Sequence, residues 1–224
     1  MPAYDLKSIL DFLSDLASHN NRPWFEGHKS VYEKARAAFE EFVEALIGRL
    51  SPYEDLAGVT AKASIMRIYR DIRFSKDKTP YNAWMAAMIA TGGRKSQLAG
   101  FGVRLAPRDS GAAGGFWDPT PEQLDEFRRA VDLGSQALSD VIGTPKFVRI
   151  FGGLKGEKLK NVPKGYAKDH PAGELLKLKQ VYVVRSFSDQ AVSKDNFLDD
   201  LVASFVVMKP FLDYLNGGDR RSET

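Results

Sequence analysis

The chain has 224 residues, 43% of them hydrophobic and 27% charged, with no cysteine and a formal net charge of +3. This balance describes a globular chain able to bury a sizeable core. The missing cysteines exclude disulfide frameworks, thiolate nucleophiles and cysteine-ligated metals, and fit a reducing, cytoplasmic setting. The opening MPAYDLKSIL lacks a basic region followed by an apolar run, so no signal peptide is expected. No apolar run approaches the roughly 20 residues of a membrane span.

Apolar residues at Leu6, Ile9, Leu10, Leu13 and Leu16 recur at helical spacing and predict an amphipathic helix over 5–18. Pro23 suits the first turn of a second helix, capped by Asn21 or Arg22 and running to about Leu50. Trp24 and His28 share a face of its first turns, where an aromatic stripe ordinarily anchors a helix pair. Alternation over 62–74 predicts a strand, with further strands over 81–91 and 99–106 joined by short turns, an antiparallel meander. PRDSGAAGG reads as a loop, and Gly114-Gly115-Phe116-Trp117-Asp118-Pro119 as a passage where backbone must approach something closely.

Thr120 and Gln123 form a capping box that opens a helix over 121–142. Thr144-Pro145 opens a short helix that Gly152 and Gly153 close. Leu154 to Asp169 is basic and irregular, a surface loop around a short strand. A short helix over about 171–177 precedes a strand from Gln180 to Ser188. Ser193 is placed to cap a last helix with apolar positions Phe197 to Leu215, which Pro210 should kink. Residues 217–224 form a polar tail expected to fray. No repeat or linker divides the chain, so the expectation is one α+β domain over 1–224: an antiparallel sheet packed by an N-terminal helix pair and the C-terminal helix.

The charge is unevenly spread. Ten Lys or Arg stand against two Asp or Glu over 62–108, and nine against three over 146–179, whereas 1–61 and 109–145 are acidic. Either the basic segments converge on one positive surface, or acidic helices pack across basic strands and cancel them.

Within the first basic segment, period two aligns Arg70 with Met66, Ile68, Ile72 and Phe74, residues that should face a core. A buried guanidinium is costly unless paired, so Arg70 must meet a carboxylate, carbonyls or an anionic ligand, unless a bulge carries it to the surface. The loop that follows brings Arg73, Lys76 and Lys78 to the mouth of a strand-loop-strand unit. Such cations suit an oxyanion, for which Arg offers a fork and Lys a point charge; a solvated turn guarding a sheet edge is the alternative. Asp71 and Asp77 should be ionised there, fitted to orient Arg or Lys or to hold a divalent ion, or simply to form a salt bridge. Tyr81, with Trp24 or Trp117, is the candidate apolar wall.

The blocks NNRPWFEGHK, RIYRDIRFSKDKTPYN, GGFWDP and PKGY with LLKLK, in this order, resemble an uncharacterised bacterial and fungal family, domain of unknown function 2461, over about Leu10 to Asn216. The resemblance implies one compact domain mixing helices and sheet, and no assigned activity. The matching blocks contain Trp24, Phe25, Arg70, Asp71, Arg73, Phe74, Asp77, Lys78, Pro80 and Tyr81, none with an assigned role.

Chemical signatures are sparse. Only His19, His28 and His170 are available, without metal-type spacing, and there is no GxSxG, no GxxxxGK and no GxGxxG after a strand. No cofactor and no metal are expected, and no base or nucleophile can be named. The expectation is a site for a small phosphate- or carboxylate-bearing ligand built from Arg70, Arg73, Lys76, Lys78, Asp71, Asp77, Tyr81 and Trp24. A protein-interaction module using the strand edge and basic loop is the alternative. Single-stranded nucleic-acid binding is disfavoured by the low net charge and dispersed aromatics.

Overall fold

Asp5 caps the first helix, α1 (Leu6–Ser18), by accepting from the Ser8 amide at 3.1 Å, and the stripe Leu6, Ile9, Leu13, Leu16 is buried along its length. In the computed structural model, which describes residues 4–134 and 136–217, Asn21 caps α2 (Arg22–Gly27) through the Trp24 amide, with Pro23 in the first turn. The expected long second helix divides here. His28 interrupts it with non-helical backbone, and α3 (Lys29–Leu50) follows.

Two compact units make up the chain. The first comprises Met1–Gln97, Phe101–Ala112 and Ser186–Ala203; the second comprises Leu98–Gly100, Ala113–Arg185 and Ser204–Thr224. In the first, α1 packs on α3, and Phe39, Phe42, Leu46 and Leu50 are fully buried between them and their neighbours. Phe42 stacks on Phe197 at 5.8 Å, and Arg49 pairs with Asp199 at 2.7 Å. A four-residue helix, α4 (Ala61–Ser64), capped by Thr60, and α3 both lie against the first strand, β1 (Met85–Ile89).

Strand β1 pairs antiparallel with β2 (Gly100–Leu105), Met85 opposite Leu105 and Ile89 opposite Phe101. With β3 (Ser110–Phe116) and β4 (Val181–Phe187) they form a four-stranded antiparallel sheet in the order β1-β2-β3-β4. The fold is α+β as expected, with N-terminal helices and the C-terminal helix packed against the sheet.

The strand expected over 62–74 is absent as a continuous element. Residues 61–64 are α4, and the rest pairs with 81–87 as the isolated bridges Ile65–Ala87 and Tyr69–Tyr81 instead of a continuous ladder. Two features stop the ladder. Ser64 Oγ donates back to the Thr60 carbonyl, closing a helical turn, and Pro80 opposite Arg70 accepts from the Arg70 amide at 3.0 Å but has no N–H to return. Ile65 and Ile68 are buried, three apart, while Phe74 is 96% exposed, so the two-residue period fails beyond Ile68.

The expected loop at 107–115 is largely strand β3. SGAAGGF lacks the branched and aromatic residues that signal a strand, but its glycines let other elements close in. A Cβ on Gly114 would fall 2.2 Å from Met208 Sδ, and one on Gly115, at φ +119°, 2.3 Å from the Val181 carbonyl. The close approach expected at this passage is therefore present. Met208 and Leu212 belong to α10 (Phe197–Leu215), which runs through Pro210 and packs over β3 here. Asn216 brackets the Ala99 backbone with two hydrogen bonds, 2.8 and 3.0 Å.

The Thr120–Gln123 capping box forms reciprocally at 2.8 and 3.3 Å and opens α5 (Pro121–Gly134), followed by α6 (Gln136–Ile142). Thr144 caps α7 (Pro145–Phe151), which Gly152 closes in the left-handed conformation. The irregular basic segment contributes single bridges at Lys155 and Lys158 before α8 (Gly173–Leu176). In the first unit, Ser188 caps a short α9 (Asp189–Val192) that the sequence reading missed, and Ser193 donates back to Asp189 rather than capping α10. Of the expected frayed tail, 218–224 lies outside the described residues.

Candidate anion-binding site

Residues 65–82 turn back on themselves, held at Tyr81. Asn20, between α1 and α2, donates to the Tyr81 carbonyl at 2.9 Å and accepts from its amide at 3.1 Å. The Tyr81 ring, 3% exposed, stacks on fully buried Phe25 at 4.0 Å and lies 5.4 Å from Tyr69. Burial holds its phenol above the ordinary value.

The cations of the loop beyond this anchor are largely engaged by groups of the loop itself. Arg70 donates to Asp77 at 2.5 Å, to the Thr79 carbonyl at 3.3 Å and to the Thr79 hydroxyl, with its side chain 24% exposed. The sequence expectation that Arg70 needs a partner is met by a carboxylate and a carbonyl. Asp77 also accepts from the Thr79 amide at 2.9 Å; that bond first, then those from Arg70 and the Thr79 hydroxyl, lowers its pKa to about 2.

Arg73 grips Asp71 with two parallel bonds, 3.0 and 2.7 Å. These lower the Asp71 pKa and raise that of Arg73; the charge of Arg67 contributes to the Asp71 shift. Lys78 donates to the Ile72 carbonyl at 2.9 Å, and Lys76 is exposed. Trp24 stands apart from these groups. Its ring stacks between His28 at 4.0 Å and His19 at 5.5 Å and reaches Phe12 of α1, the helix-pair anchor its spacing suggested. The Trp117 ring lies tilted against Tyr182, centroids 4.2 Å apart, within the second unit.

A different set of cations lines a depression in the first unit. Arg36 of α3, Arg67 and Arg94 border a hollow of about 430 Å³ with Ile65 at its wall. Each arginine arrives by its own route. Arg36 sits on the less buried side of α3, one residue past buried Ala35. Arg67 is turned outward between buried Ile65 and Ile68, and Arg94 follows the left-handed pair Gly92 (φ 78°) and Gly93 (φ 84°) in the turn after β1. Among the described residues, none of the three makes an ion pair or side-chain hydrogen bond.

Arg94 also borders a second hollow of about 480 Å³ with Gly58, Val59, Ala63, Gly92 and Lys95. Unpaired forks around one hollow can take a planar or tetrahedral oxyanion bidentately. Among the described residues, no group of three or more His, Asp or Glu is arranged to hold a metal ion, and no helix is long and apolar enough to cross a membrane.

A sequence model of the family described as conserved hypothetical protein (DUF2461) matches residues 8–214. The chain belongs to this family. No curated protein and no solved structure matches the sequence. In this DUF2461 chain the matched span contains both the loop Arg70–Tyr81 and the hollow bordered by Arg36, Arg67 and Arg94. Sequence reasoning missed Arg36, Arg94 and Lys95. One signal was available for the last two: no acidic residue stands between Asp77 and Asp109, so cations in that run have no local partner. Arg36 lies near several acids in the chain, and only the fold turns it toward the others.

Proposed function

We propose that this protein binds a small phosphate- or carboxylate-bearing ligand, with the anionic group seated among Arg36, Arg67 and Arg94. The observation that carries the reading is that three arginines from separate parts of the chain, none of them in an ion pair among the described residues, line one hollow of about 430 Å³. Like charges brought together cost free energy in the empty protein, and an anion relieves that cost while filling the forks. Arg70 and Arg73, paired with Asp77 and Asp71, frame the neighbouring loop in this reading, and Tyr81 fixes its base. The cysteine-free composition supports a cytoplasmic setting.

Thermal unfolding against inorganic phosphate, sugar phosphates, nucleotides and dicarboxylates tests this. A ligand at about 100 times its Kd should stabilise the fold by roughly 2.7 kcal/mol. Arg67→Ala and Arg94→Ala should abolish that shift, and Arg70→Ala should retain it on a lowered baseline. The reading fails if no anion stabilises the protein, or if the shift survives in both Arg67→Ala and Arg94→Ala.

A second reading, a protein-docking loop, is favoured by Phe74, which is 96% exposed with the Arg73 guanidinium 6.0 Å from its ring centroid. It predicts that Phe74→Ser abolishes capture of a partner while anion stabilisation is unchanged.

A further inference from the structure

Two hollows of different character share Arg94 in their lining. The first is lined by Arg36, Arg67, Arg94 and Ile65. The second, of about 480 Å³, carries no acidic side chain; beside Arg94 and Lys95 its lining is Gly58, Gly92, Gly93 and small residues such as Ala63 and Val59. Gly58, Gly92 and Gly93 all have left-handed backbone, at φ 75°, 78° and 84°, so each position strongly disfavours a side chain. At Gly58 and Gly93 nothing lies within 4 Å of where a Cβ would stand, so bare backbone faces open space.

We infer that the ligand is a monophosphate ester of a ring-shaped neutral body, its phosphate among Arg36, Arg67 and Arg94 and its ring over the Gly58–Gly92–Gly93 floor, with Arg94 contacting both parts. This rests on the anion-binding reading above and adds the class of molecule. A free phosphate occupies only a corner of the first hollow and leaves the second unused. Together the hollows are of the size that takes a small organic molecule, which pockets of about 300–1,000 Å³ enclose. A floor of peptide planes and small side chains accepts a sugar ring or a flat base. Lys95 at its edge offers a donor to ring oxygens.

The test compares dissociation constants for inorganic phosphate, glucose 6-phosphate and adenosine 5′-monophosphate by titration calorimetry. At least one ester should bind about tenfold more tightly than inorganic phosphate. Ala63→Trp, an exposed position on the rim of the second hollow, should erase that advantage while leaving inorganic phosphate within about twofold of its parent value. Arg94→Ala should weaken both kinds of probe. Ala57→Trp, also exposed and on the same rim, supplies the comparison if Ala63→Trp folds poorly. If neither ester outbinds inorganic phosphate, or the filled rim leaves ester affinity intact, the two-part ligand is overturned while the anion site stands. If none of the three probes binds, both readings fall.

Discussion

The loop Arg70–Thr79 and the hollow bordered by Arg36, Arg67 and Arg94 are both rich in cations, and they differ in where the acids are. In the loop, Asp71 and Asp77 lie within a few residues of Arg73 and Arg70, and the short connection lets them close on their partners. In the hollow, the cations come from three separate parts of the chain and none is in an ion pair among the described residues. A cation becomes available to a ligand when the fold separates it from acids, and a local excess of charge is a poor guide to that.

The comparison breaks most severely through the core that supports the loop. Phe25→Ala removes a fully buried ring stacked on Tyr81 and should destabilise the protein by about 3–5 kcal/mol, read from the urea midpoint. Arg70→Ala comes next. It removes the bonds that Arg70 donates to exposed Asp77 and to Thr79, and a modestly lowered urea midpoint is expected with phosphate affinity unchanged. A normal urea midpoint in Arg70→Ala, together with lost phosphate affinity, would move the anion site into the loop. Arg67→Ala should show the opposite division, a stability change within about 0.5 kcal/mol and loss of the phosphate-induced shift.

Local chemistry made much of the fold legible. The stripe of α1, the Asn21 and Thr144 caps, and the Thr120–Gln123 box all lie within a few residues of the structure they specify. Strand β3 was illegible for the complementary reason. Its glycines serve contacts with Met208 and Val181, far along the chain, and carry no side-chain pattern of their own. The segment 62–74 misled because its alternation was real while Pro80 and the Thr60 cap, acting from outside the pattern, broke the ladder.

At the site, the misplaced Arg70 correctly signalled a need for a partner, and Asp77 seven residues on supplied it. The convergence of positions 36, 67 and 94 is tertiary, and only the acid-free run between Asp77 and Asp109 hinted at it.

The smallest effect sharpens the comparison by pH. Asp77 has its pKa lowered in the folded protein to about 2 from an ordinary 3.8, so its bonds to Arg70 and Thr79 contribute stability that is fully present above 3.8. That contribution is lost as the pH falls from 3.8 through about 2, where the carboxyl takes up its proton. Because the group is exposed, water screens the interaction and the change is modest. Glu174, lowered to about 2 by Lys158 and Lys177, titrates over the same range, so the difference between parent and Asp77→Asn isolates the loop. The parent should lose more stability than Asp77→Asn between pH 5 and pH 2 in urea unfolding. Arg67→Ala should follow the parent closely through the same window, since Arg67 is in no ion pair among the described residues and supplies only the smallest of the effects that lower the Asp71 pKa. Parallel acid limbs for the parent and Asp77→Asn would mean that the Arg70–Asp77 pair adds nothing to the folded state, and the loop's cations would then be as free to meet a ligand as those of the hollow.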